Sequence, residues 1–433
     1  MFMNFPPVNF PVVGMERIQL PKMIRISQEY DRQRLDDAPQ TLVQQLESHP
    51  ELLCNIRQKR IAITVGSRGI HGLAELLKAL CDELKRWGAE PFLVPAMGSH
   101  GGATAEGQLE VLESFGITQE QIGVPVQSSM DVIQYGTLEG TPLYCDRAAY
   151  EADGVVILNK VKPHTDFRGD VESGLCKMIA IGLGKHAGAS AIHARGYADF
   201  ARFLPMVAQS FLNTGKVCFG IGVVQNAYSD LCALQVTAPE NLIETDKALL
   251  KLARKRLATL KCKELDVLVL DEIGKNISGF GFDPNVVGRM NSGLSGFSDI
   301  LKLQRFVILG LSEETHHNGC GISAADVTTR QCLQDIDWDV VWTNMTTSLM
   351  INGGKIPLYM NQDYDALRLA VRTCAGIDYS KVRLAHAKNT GELFEIEVSE
   401  SLFDILKDRP DVHYIEGPYE WEFDAWGNLF SRL

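Results

Sequence analysis

Four side chains that can exchange protons, bind a metal or form a covalent bond lie in the first half of the chain: His100, His164, Lys177 and His193. A histidine titrates near neutral pH, so two of them on opposite sides of a substrate can act as acid and base. A lysine inside an apolar segment either extends its amine to water or works as a functional amine. Taken singly, His164 and His193 are better explained by structural hydrogen bonds. The combination of His164, Lys177 and His193 around one helical segment indicates a cofactor site.

The stretch from 154 to 193 must position three of these side chains. Its apolar start predicts a buried strand, and Pro163 disfavours helix at the residue before it. His164 is therefore expected on a loop at the carboxyl end of a strand, where open α/β sheets bind ligands. Residues 172–184 predict a helix that contains Lys177, and His193 lies 16 positions after that lysine. The simplest interpretation of the charged residues after His164 is a solvated turn: Asp166, Arg168, Asp170 and Glu172.

Two glycine-containing loops precede that stretch, each between a predicted strand and a predicted helix. The first contains Ser67 and Arg68, and backbone N–H groups at a helix N-terminus beside an arginine make an anion site. An ordinary turn with a surface arginine is the alternative, because the spacing matches neither GxGxxG nor a Walker A motif. The second loop places glycines around His100, which permits close approach of a ligand. A histidine that caps the next helix is the alternative there.

Repetition of strand, polar loop and helix predicts an α/β protein. We expect two domains, each with a mostly parallel sheet flanked by helices, and an active site in the cleft between them. The expected cofactor-binding domain is 1–262, and the expected second domain is 263–404. The aromatic residues of the tail, about 405–433, indicate that it packs back onto the first domain.

Composition limits the partners. The net charge of −12 argues against a broad nucleic-acid-binding face. No apolar run approaches the roughly 18 residues of a membrane span, and the N-terminus does not resemble a signal peptide. The ten scattered cysteines form no CxxC motif, which favours free thiols in a reducing cytoplasm. We expect a small-molecule substrate, no nucleic acid and no membrane. A homo-oligomer stays open.

The second half supplies polar residues on loops: Lys275, Asn276, Arg289, His316, His317 and Asn318. The adjacent histidines lack a further ligand pair, so substrate contact is favoured there over a zinc site. We expect Lys275, Asn276, Arg289 and His317 to face the substrate. Their number favours a substrate with extra hydroxyls or a second carboxylate, such as a sugar acid.

Together these residues resemble the nickel-pincer-nucleotide lactate racemase family. Its members carry a Thr-Arg turn after a strand, a Gly-Thr-His loop, a histidine, a lysine, and a histidine 16 positions after that lysine. The corresponding residues here are Ser67-Arg68, Gly98-Ser99-His100, His164, Lys177 and His193. The 13-residue separation of His164 and Lys177 exceeds the lactate racemase pattern. Val65 and Gly66 stand where the family has an acidic residue. Lactate itself is therefore not the expected substrate.

The resemblance implies a role for each matching residue. Ser67 and Arg68 would hold the phosphate of the pyridinium-3,5-bisthiocarboxylic acid mononucleotide. Lys177 would tether this cofactor through a thioamide. His193 would bind nickel, whose other ligands are two sulfurs and a carbon of the cofactor.

The implied reaction inverts the Cα of a 2-hydroxy acid by hydride transfer to and from the nickel-pincer nucleotide. The Cα–H beside a carboxylate is very weakly acidic, and a hydride route through a planar 2-keto acid avoids the carbanion. His100 and His164 would be the acid and base on the two faces of the substrate. The resemblance thus implies an isomerase, either a racemase or an epimerase.

Two other classes stay open. A cofactor-free dehydratase or epimerase on the same scaffold would use His100, His164 and Lys177 directly, and it would be active without nickel or nucleotide. A non-catalytic sugar-acid or nucleotide binding protein would bind its ligand without exchanging the Cα hydrogen. A binding protein needs neither a tether nor a metal ligand, so Lys177 and His193 argue against it.

Overall fold

A computed structural model describes residues 1–67, 69–290 and 293–433 of the chain. The strands are β1 (Met23–Gln28), β2 (Arg60–Val65), β3 (Glu90–Pro95), β4 (Val132–Leu138), β5 (Thr141–Asp146), β6 (Gly154–Lys160), β7 (Val217–Gln225), β8 (Leu231–Thr237), β9 (Glu264–Ile273), β10 (Lys302–Leu311), β11 (Val327–Thr329), β12 (Leu358–Met360), β13 (Leu384–Ala387), β14 (Glu395–Ser399) and β15 (Val412–Tyr419).

The α-helices are α1 (Ala38–Glu47), α2 (Pro50–Cys54), α3 (Leu73–Arg86), α4 (Ala105–Ser114), α5 (Gln119–Ile122), α6 (Arg147–Glu151), α7 (Leu175–Lys177), α8 (Lys185–His193), α9 (Tyr197–Leu212), α10 (Leu242–Arg256), α11 (Pro284–Val287), α12 (Arg330–Asp335), α13 (Trp338–Thr347), α14 (Asp363–Arg372) and α15 (Glu400–Leu406). A π-helical segment, Met178–Gly182, follows α7. Within the described ranges, every helix is too short or too polar to traverse a lipid bilayer. All ten cysteines are free.

The chain divides into two compact units. The central unit comprises residues 31–257, and the terminal unit combines residues 1–30 with 258–433. The division at 258 lies close to the expected boundary at 262, but the grouping differs from the expected one. Residues 1–30 were assigned to the first domain, and the tail was expected to pack back onto it. Instead β1 pairs antiparallel with both β14 and β15, so the N-terminal arm and the tail complete the sheet of the terminal unit.

The central unit is built on a five-stranded sheet of order β3-β2-β6-β7-β8. The first four strands are parallel, and β8 returns antiparallel to β7. Helix α3 shows why the sequence forms this layer, because its leucines recur at helical spacing and are all buried: Leu73, Leu76, Leu77, Leu80 and Leu84. Burial of each such side chain contributes roughly 1.5–3 kcal/mol. Parallel strands aligned in this way bring the loops after β2, β3 and β6 to one edge of the sheet.

The terminal unit contains an eight-stranded sheet of order β12-β11-β10-β9-β13-β14-β1-β15. The strands from β12 to β13 are parallel, and β14, β1 and β15 are antiparallel to their neighbours. The predicted α/β class, with two mainly parallel sheets flanked by helices, is confirmed.

A buried histidine anchors the tail to this second sheet. His386 on β13 is fully buried, with Nδ1 2.7 Å from Glu397 and Nε2 2.6 Å from Asp271. Tyr419 and Trp421 from the tail each donate a hydrogen bond of 2.6 Å to the carboxylate of Glu397. Burial opposes the charged imidazole, but the two carboxylates outweigh it and raise the pKa of His386 to about 9. The tail is therefore held by a charged cluster inside the unit.

This cluster predicts a loss of stability in alkaline solution. The pKa of His386 is raised above the value of about 6.5 in the unfolded chain, so its contribution is present below pH 6.5 and lost as pH rises through 9. Urea unfolding at pH 6.5 and 9.5 should show the free energy of unfolding fall by about 2–3 kcal/mol from this group. His386→Gln should lose less across the same range. Replacing the exposed His413 by Gln is the matched control, and an equal fall in both variants would contradict the assignment.

Candidate functional site

The segment that carries Lys177 is not the single helix predicted for 172–184. Helix α7 ends at Lys177, a π-helical segment follows, and α8 begins only at Lys185. Gly182 allows the π-helical segment to pack closely on the residue after β3, because a Cβ there would lie 2.7 Å from the backbone oxygen of Ala96. At the other end, the buried carboxylate of Asp246 accepts a 2.9 Å hydrogen bond from the backbone N–H of Cys176. Single π-turns inside helices often occur at functional sites.

His164 and Lys177 are in direct contact, as Nζ of the lysine lies 2.6 Å from Nε2 of the imidazole. The other ring nitrogen, Nδ1, accepts a 3.0 Å hydrogen bond from the backbone N–H of Asp166. Contacts therefore fix both nitrogens of the ring, and Nε2 faces the lysine amine.

Glu172 fixes the loop on which His164 lies. Its carboxylate is fully buried and accepts the backbone N–H of His164 at 2.6 Å and that of Gly169 at 3.1 Å. Arg254 from α10 pairs with the same carboxylate at 2.6 Å. The expected solvated turn is thus wrong for Glu172, because the carboxylate folds inward to satisfy backbone donors that the loop would leave unpaired.

His193 joins the same surroundings at the last position of α8. Its ring lies 5.5 Å from that of Tyr197 and 5.2 Å from that of Phe200, both in edge-to-face geometry. The ring of Tyr197 is also 6.0 Å from that of His164. Burial is the larger cause, and the nearby Lys177 amine the smaller, of a His193 pKa lowered to about 4. At neutral pH the imidazole is uncharged, which is the form that binds a metal.

His100 follows β3 on an exposed loop that borders this cluster. Its Nδ1 lies 2.9 Å from the backbone oxygen of Met97. A carbonyl only accepts, so Nδ1 carries the proton and Nε2 is the basic nitrogen of the neutral ring. The loop reaches the π-helical segment through a 3.3 Å hydrogen bond from the N–H of Gly98 to the oxygen of Gly182.

Ser67 lies directly after β2, and the structure places its neighbour Gly66 against the same segment. A Cβ on Gly66 would lie 3.2 Å from the side chain of Met178 and 3.3 Å from that of Asn159. Arg68, the predicted phosphate ligand, lies outside the described residues. The structure therefore gathers Ser67, His100, His164, Lys177 and His193 on elements that meet at one edge of the central sheet.

The four residues expected to bind substrate do not come together in the terminal unit. Lys275, Asn276 and His317 follow the carboxyl ends of β9 and β10, where each contacts its own unit: Lys275 donates to Asn344 at 2.8 Å, Asn276 accepts from Ser312 at 2.8 Å, and His317 lies 2.9 Å from Asp335. Arg289 lies instead at the amino end of β10, where it pairs with Asp326 at 2.7 Å and donates to the backbone oxygens of Leu303 and Gln304. Arg289 thus joins strands and lies at the opposite end of the sheet from the other three.

Sequence reasoning missed the groups that support the site: Glu172, Asp246, Tyr197 and Phe200. The aromatic pair had a detectable signal, since Tyr197 and Phe200 follow His193 by four and seven positions in the sequence. Over the described ranges, no three His, Cys, Asp or Glu side chains are arranged to hold a metal ion. A metal bound at His193 would need its remaining ligands from a cofactor.

Comparisons with known proteins support the fold. No protein-family model and no curated protein matches the chain. A crystal structure of a Thermotoga maritima protein from the Northeast Structural Genomics Consortium has a TM-score of 0.51 at 14% identity, covering 82% of this chain and 96% of its own. The lactate racemase apoprotein from Thermoanaerobacterium thermosaccharolyticum has a TM-score of 0.46 at 15% identity, covering 81% and 86% respectively. The first likeness shows a shared fold, and the second supports no conclusion about activity.

The environment of His193 predicts acid sensitivity. The pKa of this ring is lowered to about 4, below the value of about 6.5 in the unfolded chain. The unfolded state therefore takes up the proton first, and stability is lost as pH falls from 6.5 towards 4. Chemical unfolding of the metal-free protein at pH 7 and 4.5 should show His193→Gln losing less stability than the wild type, by on the order of 2 kcal/mol. His49→Gln, at an exposed position of the same unit, should follow the wild type, and identical curves for all three proteins would argue against a lowered pKa of His193.

Proposed function

We propose that the chain is a cytoplasmic racemase or epimerase that inverts the Cα of a 2-hydroxy acid with a nickel-pincer nucleotide held by the central unit. The observation that carries this proposal is the 2.6 Å contact of Lys177 with His164, beside the ring of His193. The amine of Lys177 and the uncharged imidazole of His193 would supply the two groups that a tethered nickel cofactor uses, a nucleophile and a nitrogen ligand. The spacing of these residues in the sequence supports the same family.

The residues present fit this cofactor. Lys177 would form the covalent bond to the nucleotide: its amine, once deprotonated, would attack a thiocarboxyl carbon, and the oxygen of that group would leave as water to give the thioamide. His193 offers one nitrogen ligand, which suits a nickel ion whose other ligands belong to the cofactor. Ser67 and Arg68, which follow β2 in the sequence, would hold the phosphate. When bound, the cofactor supplies the hydride acceptor, and the protein supplies orientation and proton transfer.

Proton transfer is assigned to the two histidines. His100 presents Nε2 as its basic nitrogen because Met97 fixes the proton on Nδ1. His164 is held by Glu172 and Asp166 beside the tether. Each histidine would take the hydroxyl proton of one configuration of the substrate and return it when the Cα is reduced again. Two bases are needed because the two configurations present their hydroxyls from opposite sides.

The intact mass of the chain tests the tether. Co-expression with the cofactor-making enzymes should add a mass increment to the wild type, and Lys177→Ala should lose it completely because no other amine replaces the nucleophile. Lys247→Ala, at a surface position of α10 in the same unit, should retain it. Nickel should accompany the increment in a parallel metal assay.

Three other outcomes of the mass experiment would change the proposal. An increment that survives Lys177→Ala places the tether elsewhere. Nickel without an increment removes the tether from the proposal. If neither increment nor nickel is found although the cofactor-making enzymes are active, the cofactor-free dehydratase or epimerase takes precedence, in which the His164–Lys177 pair transfers protons directly.

We further propose that the substrate is a polar 2-hydroxy acid, such as a sugar acid, and that Lys275, Asn276 and His317 contribute to its recognition. These three side chains offer donors for a carboxylate or for hydroxyls. Lys275→Ala and His317→Ala should each lower kcat/KM for a sugar acid by about 10–100-fold while changing lactate turnover less, because the lost hydrogen bonds serve the extra polar groups. Arg289→Ala, where the arginine joins strands, is the control for loss of fold. Unchanged selectivity would remove these residues from the substrate site.

A further inference from the structure

We propose that Lys185 is a positioning residue that locks the His100 loop to helix α8, the helix that ends in His193. The inference rests on the proposed function only in giving His100 and His193 their chemical roles. The contacts that define the lock are features of the protein alone.

Lys185 is an unusual first residue for a helix. Its side chain is fully buried, and its backbone has a φ of 53°, a left-handed conformation that costs a non-glycine residue about 1–2 kcal/mol. From that position Nζ forms an ion pair of 3.1 Å with the fully buried Asp146. The same nitrogen donates to the backbone oxygen of Pro95 at the end of β3 and, at 3.1 Å, to the side-chain oxygen of Gln108.

Gln108 connects Lys185 to the His100 loop. It lies on α4, is fully buried, and its Nε2 donates to the backbone oxygens of Gly98 at 3.1 Å and of His100 at 3.2 Å. Because Lys185 takes the Oε1 side of the amide, the Nε2 side must point at the two loop carbonyls. One buried ammonium therefore sets the orientation of the amide that holds the loop.

The loop has no space to relax around this contact. A Cβ on Gly107 would lie 2.1 Å from the backbone oxygen of Gly101, and a Cβ on Gly101 would lie 2.5 Å from the backbone carbon of Gly107. The turn after His100 is thus packed directly on the first turn of α4. A shift of Gln108 would move the loop as a whole.

A contribution to stability alone does not explain why a charged Lys185–Asp146 pair occupies this buried position. Burial raises the pKa of the Asp146 carboxyl and lowers that of the Lys185 amine, so each charge is held against a desolvation cost. A pair of well-packed apolar side chains of similar volume often gives equal or greater stability. What an apolar pair does not supply is directed hydrogen bonds. Those of Lys185 fix the end of β3 and the amide of Gln108 relative to the start of α8, where Lys185 lies.

The test uses the protein without cofactor, with histidines labelled with ¹⁵N. His100 should show one dominant neutral tautomer, with the proton on Nδ1, and its signals are assigned by their loss in His100→Gln. Lys185→Met should shift these signals towards the average of the two tautomers, because the loop no longer holds the ring against Met97. Glu83→Gln, which changes a buried carboxylate on α3 in the same unit, should leave them unchanged.

A second variant separates positioning from stability. Lys185→Met/Asp146→Asn removes both charges and keeps an oxygen acceptor for the N-terminus of α6, whose Ala149 N–H donates to Asp146. Positioning predicts that the double variant unfolds close to the wild type and still shows mixed His100 tautomers. Wild-type His100 signals in a folded double variant would overturn the proposal.

If neither Lys185 variant folds, Gln108→Met tests the proposal, because this substitution removes the two loop contacts without leaving a charge buried. Mixed tautomers support the lock, and an unchanged His100 spectrum overturns it. The proposed function can fail separately. If the chain never acquires the Lys177 mass increment, the proposal of a nickel cofactor is contradicted, while the His100 spectra still decide whether Lys185 positions the loop.

Discussion

The contact between the Lys177 amine and the His164 imidazole constrains the rest of the central unit. The amine and the imidazole lie 2.6 Å apart, so each side chain fixes the orientation of the other. The backbone N–H of Asp166 holds the imidazole from its other side, because it donates to Nδ1. Burial lowers the pKa of His193 and favours the uncharged form of that ring. The chemistry available at this edge of the sheet follows from that one pairing.

Three buried carboxylates hold the irregular backbone around it. Glu172 accepts the N–H groups of the His164 loop, Asp246 caps the helical turn before Lys177, and Asp146 caps α6 while pairing with Lys185. Each replaces a hydrogen bond that a regular helix or strand would have supplied. The segment between β6 and α9 can thus depart from regular structure without leaving its backbone donors unpaired.

The local elements could be predicted from the sequence, and the long-range ones could not. The leucine spacing of α3 and the apolar run of β6 are visible in the sequence. The strand–loop–helix order and the loop position of His164 could therefore be predicted. Periodicity does not show that the helix becomes π-helical after Lys177 or that Glu172 turns inward. The position of Arg289 could not be predicted for a related reason. The sequence of a loop does not show which end of the sheet the loop borders. The pairing of β1 with β14 and β15 joins distant parts of the chain, and no local pattern signals it.

That pairing fixes an order of events during synthesis. β1 begins at residue 23, and the strands that flank it end at residues 399 and 419. At about 5–20 residues per second, the ribosome needs on the order of 20–75 s to supply the first of these partners. The central unit is complete in sequence long before then and can fold while β1 still lacks both neighbours. The emerging chain therefore carries β1 without its strand partners while the central unit is made, and the sheet of the terminal unit closes only after β15 has left the ribosome.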